Sequence, residues 1–317
     1  MNKFLISFLT AISIGIILAI IINWYEGNLH GLFYKELPDE AISLIAEEGE
    51  IDPTFVSNFS RIFIYSSRKN NIDNNPDNSF IPNFPNPISS DAYIVYDMND
   101  SETIIEKSVD KLLPIASITK LATAVIANRL IDANDRIEIT QKVLNTEGDT
   151  GNLRLGEKLY KEELLYPLLM VSSNDSAEAL AQYYDRDAFI KKMNDWASSI
   201  GAYRTYFYDP SGLSPKNVSS ASDIALMAEW IKNNESEIFD ITLTKVKNIR
   251  THTWTNPTHF LNLTAYKGGK NGYIPEAGLT SISLFYIGSP KKLYAVVLLG
   301  SKDRNEDTLS VLNKAKK

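Results

Sequence analysis

The sequence predicts an α+β domain whose sheet is closed by strands far apart in the chain. A strand with a hairpin partner opens this domain, two apolar strands joined by a hairpin close it, and the stretch between carries helical periodicity. Composition agrees: of 317 residues, 44% are hydrophobic and 22% charged, enough to bury a sizeable core.

The chain begins with an apolar run, Phe4 to Trp24, that contains no charge. A helix needs about 20 residues to cross a bilayer. Lys3 precedes the run, Glu26 follows it, and Trp24 and Tyr25 suit a membrane interface. That charge bias places the N-terminus in the cytoplasm. No small-x-small cleavage site follows, so residues 1–25 read as an uncleaved membrane anchor. Everything after it is then extracytoplasmic. Residues 26–86 read as a spacer, with a short helix over Pro38–Glu48 and a strand over Arg61–Tyr65. Lys69–Pro87 is rich in Asn, Asp and Pro and reads as a linker.

The folded domain is expected over residues 87–317. Ala92–Tyr96 alternates as a strand, Asp97–Ser101 is a turn, and Thr103–Ile105 is its hairpin partner. Pro114 ends that unit, and apolar residues then recur at helical spacing to about Leu130. Asp149–Gly156 is a polar loop. Helices follow at Glu162–Met170, Ser176–Tyr184, Ala188–Ile200 and Ala221–Ile231, with a turn at Asp209–Leu213. Thr280–Ile287 and Leu293–Leu299 are the closing strands, joined through Gly288–Lys292, and a last helix starts near Glu306.

Composition also excludes functions. The formal charge of −7 argues against nucleic acid as a partner. The chain has no cysteine and only His30, His252 and His259, which removes disulfides, leaves a His-rich metal site improbable, and gives a Ser-His-Asp triad few members. No metal or cofactor is expected. His252 and His259 read as structural or groove-edge residues.

The segment with chemistry in it is Pro114–Lys120. Ser117 sits where the helix starts, and Lys120 shares its face three residues on. A serine hydroxyl needs a base, and a buried lysine with a lowered pKa can be one. Ser-x-x-Lys occurs four times here, at Ser66/Lys69, Ser108/Lys111, Ser117/Lys120 and Ser289/Lys292, but only the Ser117 pair opens an apolar helix. Two further polar motifs follow. Ser172-Ser173-Asn174 lies on a loop between helices, where the plain reading is an N-cap. Lys270-Asn271-Gly272 precedes Tyr273, and alone it reads as a glycine turn with a solvated lysine.

Ser-x-x-Lys, then Ser-x-Asn, then a Lys-Thr-Gly-like triplet is the order found in penicillin-binding proteins and serine β-lactamases. From Ile88 to Ser301 the chain resembles that superfamily, and within it the low-molecular-mass D-alanyl-D-alanine carboxypeptidases. Asp209-Pro-Ser-Gly-Leu213, Ser220-Ala-Ser-Asp-Ile-Ala225 and Gly269-Lys-Asn-Gly-Tyr-Ile-Pro-Glu-Ala-Gly278 extend the likeness. One position departs: Asn271 stands where the family carries Thr or Ser.

The resemblance implies a β-lactamase/penicillin-binding transpeptidase-like fold, an antiparallel sheet flanked by helices plus an all-helical subdomain. It implies an acyl-enzyme on Ser117, with Lys120 as base, Ser172 as proton relay and Asn174 orienting the lysine and the substrate amide. Lys270, Asn271, Gly272 and Tyr273 would bind substrate, the Ser117 and Tyr273 amides forming the oxyanion hole. The implied substrate is a peptidoglycan stem peptide, with β-lactams as covalent inhibitors. A DD-endopeptidase cutting cross-links is the alternative, as is a non-catalytic peptidoglycan-binding relative weakened by Asn271. A class A β-lactamase would need a Glu-x-x-Leu-Asn loop, and none lies between Asp175 and Asp209.

Overall fold

The computed structural model describes residues 87–315 apart from 149 and 289. These lie in the second of two units, Ser79–Lys317. The expected anchor, the spacer with its short helix and strand, and the last two lysines fall outside the described residues. Among the described residues no helix is long and apolar enough to cross a membrane.

In chain order, β1 (Ala92–Asp97) and β2 (Glu102–Lys107) form the opening hairpin. Then β3 (Leu113–Pro114) leads through a 3₁₀ turn, Ala116–Ile118, into α1 (Thr119–Leu130). The helical half follows: β4 (Arg136–Glu138), α2 (Gln141–Leu144), β5 (Lys158–Tyr160), α3 (Lys161–Met170), α4 (Asn174–Tyr184) and α5 (Arg186–Ser199). Next come β6 (Val218–Ser219), α6 (Ala221–Asn234), α7 (Glu237–Thr242), β7 (Val246–Ile249) and β8 (His252–Thr255). The chain closes with β9 (Tyr266–Ile274), β10 (Gly278–Ile287), β11 (Lys292–Ser301) and α8 (Arg304–Ala315).

The main sheet has five antiparallel strands in the order β2-β1-β11-β10-β9. Central β11 is apolar almost throughout because both its faces are covered. Leu293, Ala295, Val297 and Leu299 share one core with α6 and α1, while Val296 and Leu298 share the other with Leu309 and Leu312 of α8. At the outer edge β2 carries Glu102, Glu106 and Lys107, charges that discourage pairing with another chain. The opposite edge, β9, faces the helical half and is where the site forms.

Helix α1 is buried from Thr119 to Ala127, as befits a helix with helices α3, α4 and α5 packed around it. A carboxylate ties the ends of the domain together. Asp307 accepts from the hydroxyls of Ser89, Ser90 and Ser301, at 2.8, 2.6 and 2.6 Å.

The α+β class and the end-to-end closure of the sheet are as the sequence predicts. Three of the differences bear on the site or its frame. Helix α4 begins at Asn174 rather than Ser176, because Ser173 caps it by accepting from the Ser176 amide at 3.1 Å. Helix α8 starts at Arg304, ahead of Glu306. Most consequential, Lys270-Asn271-Gly272 is neither a turn nor solvated: it is the middle of β9, with Lys270 only 5% exposed. Glycines Gly268, Gly269 and Gly272 mask the strand periodicity there.

Candidate active site

The 3₁₀ turn presents Ser117, half-buried, one residue after Ala116, whose φ is 49°. One turn later Lys120 points inward and is fully buried. Its Nζ lies 2.9 Å from Ser117 Oγ, 2.7 Å from Asn174 Oδ1 and 2.6 Å from the Ser211 carbonyl. Burial drives the Lys120 pKa well below the usual lysine range; the charge on Lys270 adds to this and Asp209 opposes it.

The contacts of Lys120 fix where its protons point. Asn174 Nδ2 donates to the Glu147 carbonyl at 2.7 Å, so its Oδ1 must face the lysine. That oxygen and the Ser211 carbonyl can only accept. A neutral Lys120 has two N–H bonds, and these two acceptors take both. Its lone pair is left facing the Ser117 hydroxyl. The amine is thereby held as a base toward the one group in reach that has a proton to give.

Ser172 and Asn174 flank the capping Ser173, so the N-cap reading holds for Ser173 and leaves the side chains on either side of it to other partners. Ser172 holds a left-handed backbone, φ 63°, as Ala116 does; such a conformation costs a non-glycine residue about 1–2 kcal/mol. Ser172 Oγ accepts from Lys270 Nζ at 2.9 Å, and the same ammonium donates to the Asn271 carbonyl at 2.8 Å. Burial lowers the Lys270 pKa to about 7, with the nearby Arg304 guanidinium adding to the effect.

Gly272 closes the ring of contacts. A Cβ at Gly272 would lie 2.8 Å from the Ser117 nitrogen and 2.5 Å from Thr280 Oγ1, so only glycine lets β9 run this close to the nucleophile. Thr280, opposite it on β10, donates to the Ile115 carbonyl at 3.0 Å and fastens the turn to the sheet. Gly272→Ala is therefore expected to push β9 off the turn. Labelling by a fluorescent penicillin should slow by about a hundredfold, with only about 1–3 kcal/mol lost in urea unfolding. Unchanged labelling would show that the close approach is not needed.

Of the eight sequence-derived residues, contacts join Ser117, Lys120, Ser172 and Asn174 on the helical side to Lys270 and Gly272 on the strand, and Asn271 and Tyr273 are their neighbours along β9. Asn271 is half-buried opposite Ser281, and Tyr273 is 62% exposed at the rim. His252 is buried, stacked on Trp254 and bonded to Glu157 at 2.8 Å. Burial lowers the pKa of His259. Among the described residues no group of three or more acidic or histidine side chains is placed to hold a metal ion.

Sequence reasoning missed two contributors. Asp209, read only as part of a turn, is the hub of the loop that aims the Ser211 carbonyl at Lys120. Burial alone would raise its carboxyl, but donors led by the Ser214 amide outweigh that and hold it below the usual carboxylate range. Arg304 opens α8 and donates to the Gly272 carbonyl at 3.3 Å. An arginine at a helix start carries no signal of that contact; Asp209 could have been suspected from the Asp-Pro-Ser-Gly signature alone.

Chemically this is the equipment of an active-serine acyl-transfer site on an α+β scaffold. The chain belongs to the D-alanyl-D-alanine carboxypeptidase family, whose model matches residues 79–301. It is 33% identical over 202 residues to a D-alanyl-D-alanine endopeptidase of Haemophilus influenzae, covering 59% of this chain and 67% of that protein. It is 27% identical over 236 residues to the carboxypeptidase DacF of Bacillus subtilis, covering 69% and 60% respectively. The chain thus spans roughly two thirds of the length of these relatives. Among solved structures it is similar to a D-alanyl-D-alanine carboxypeptidase of Mycobacterium tuberculosis, with a TM-score of 0.67 at 22% identity, covering 76% of this chain and 94% of that one. Penicillin-binding protein D2 of Listeria monocytogenes in its cefotaxime-bound form gives a TM-score of 0.66 at 24% identity, covering 74% and 100%. These two likenesses concern the fold.

Proposed function

We propose that the protein is a serine D-alanyl-D-alanine carboxypeptidase acting on peptidoglycan stem peptides. The observation that carries the reading is the buried Lys120 Nζ 2.9 Å from Ser117 Oγ, with two oxygens that can only accept, Asn174 Oδ1 and the Ser211 carbonyl, as its other partners. Ser117 Oγ attacks the carbonyl of the penultimate D-alanine while its proton passes to Lys120 Nζ. The Ser117 and Tyr273 amides receive the oxyanion; losing one such donor typically costs about 2.7–4 kcal/mol. The C–N bond then breaks, Ser172 relays a proton to the departing amine, and D-alanine leaves. Water hydrolyses the remaining ester. Lys270, Asn271 and Arg304 supply donors for the terminal carboxylate. Incubation with a penicillin, followed by mass mapping of the modified residue, tests the scheme; modification anywhere but Ser117 would overturn it.

An endopeptidase acting on D-alanyl cross-links is the second reading. The relatives from Haemophilus influenzae, Escherichia coli and Pseudomonas aeruginosa, at 33%, 31% and 30% identity, all bear that activity's name. Comparing rates on cross-linked muropeptides and on a pentapeptide separates the two. We also place the domain outside the cytoplasm, held by the apolar run Phe4–Trp24. Protease access to intact cells tests that topology, and protection of the domain would refute it.

The Lys270 pKa near 7 gives a pH prediction. Lys270 is charged below that value and neutral above it, so attraction for a carboxylate fades as pH rises through it. KM for a carboxylate-ended peptide is expected to climb across neutrality, and Lys270→Arg should flatten the climb. A KM independent of pH would remove Lys270 from carboxylate binding.

A further inference from the structure

The catalytic reading leaves one cleft unused. It measures about 490 Å³ and lies between residues 152–154 and 251–254, the tip of the β7–β8 hairpin. Pockets of a few hundred Å³ suit small ligands and side chains.

The floor of the cleft is held by stacking and hydrogen bonds. His252 stacks on Trp254 with ring centroids 5.2 Å apart, and both are buried. Glu157 bonds His252 at 2.8 Å and accepts from the Arg154 amide at 2.6 Å. Trp254 Nε1 donates to the Gly151 carbonyl at 2.9 Å. The rim carries Arg154, whose guanidinium donates to Thr251 Oγ1 at 3.1 Å. The nearby carboxylates are already committed, Glu163 to Arg250 at 2.7 Å and Glu157 to His252. Arg154 is thus a cation at the mouth of a cleft with donors to spare.

The cleft is one backbone layer from the catalytic loop. Trp254 bonds the Gly151 carbonyl, and a Cβ at Gly151 would stand 2.4 Å from Ser173 Oγ, next to Asn174, which donates to the Glu147 carbonyl. Under the proposed cycle the leaving D-alanine lies toward β9, where Lys270 and Arg304 are. The donor half of the peptide, which stays on Ser117, leaves the nucleophile on its other side, and the Ser172–Asn174 loop borders that path.

We propose that the cleft is a subsite for an acidic side chain on the donor half of the peptide substrate, with Arg154 as its cationic partner. This rests on the peptidase reading above. It makes residues 152–154 and the β7–β8 tip specificity elements, whereas the catalytic cluster is indifferent to that side chain.

The test uses three acyl-D-Ala-D-Ala peptides alike except for one donor side chain, which ends in a carboxylate, a carboxamide or an amine. The wild-type protein is expected to favour the carboxylate over the carboxamide by about fivefold in kcat/KM, mainly through KM, as one partly exposed charge pair allows. Arg154→Ala should bring that ratio to about one, and Arg154→Glu should favour the amine. No carboxylate preference in the wild type, or a ratio unmoved by Arg154→Ala, overturns the subsite. Equilibrium binding of the same three peptides to the Ser117→Ala protein reads the same ratio without turnover. The peptidase reading can therefore fail on its own, by absence of turnover, while the subsite is judged on binding.

Discussion

Replacing Ser117 by Ala is expected to reduce both D-alanine release and penicillin acylation by about 10⁴-fold or more. Among the described residues no other hydroxyl bonds Lys120, so none of them is placed to take over the attack. The fold should tolerate the change, because Ser117 is half-buried and Lys120 keeps its two carbonyl acceptors. A shift of under about 1 kcal/mol in urea unfolding is expected. Lys120→Met should be equally inactive, and it adds a signature that a structural role would not give. In the unfolded chain this lysine is protonated up to about pH 10.4. In the folded chain its pKa is well below that, so unfolding takes up a proton across the interval between the two values. Stability of the wild type therefore rises with pH there, by about 1.4 kcal/mol per pH unit for one proton. Lys270 contributes similarly between about 7 and its unfolded value. Lys120→Met should remove one proton's share of the slope. If the slope stays as steep, Lys120 is charged in the folded protein and cannot be the base.

Asp209→Ala is expected to destabilise the domain by about 3–5 kcal/mol, the largest stability effect in the site. The carboxylate accepts five hydrogen bonds: from Ser211 N–H and O–H, Gly212 N–H, Ser214 N–H and Asn217 Nδ2, all between 2.6 and 2.8 Å. Removing it strands these donors in a buried loop. Asp209→Asn is nearly as severe, since one end of the amide becomes a donor facing other donors. Gly212 of this loop, at φ 84°, packs so tightly that a Cβ would lie 2.0 Å from the Ala116 carbonyl. Loosening the loop therefore withdraws the Ser211 carbonyl from Lys120 and disturbs the turn under Ser117 together. Urea midpoints report the first effect, and penicillin labelling of the folded protein the second. A variant with the wild-type midpoint would show that this hub is dispensable.

Much of this was legible before any coordinates. Ala92–Asp97, the closing hairpin and the helices carry short apolar runs or 3.6-residue patterns, because each buries one face or both in the cores on either side of the sheet. Lys270–Gly272 was not legible as a strand. Three glycines and a lysine there serve close approach and chemistry rather than packing, so local preference and fold disagree. The contacts of Asp209 and Arg304 were not legible for another reason: their partners are fixed by loops and a helix start that carry no periodicity.

By itself the sequence determined which groups are available: a serine and a lysine one helical turn apart, a Ser-x-Asn loop, a Lys-Asn-Gly triplet, and no thiol. It also determined the order of the longer helices and of the opening and closing hairpins, since these follow from patterns within a few residues. The tertiary structure alone decided that Lys120 and Lys270 lose contact with water, that Lys120 spends its protons on Asn174 and Ser211, and that β9 lies against Ser117. Those are properties of dielectric and distance, and both are set by residues 50 to 150 positions away in the chain, beyond the reach of any local pattern.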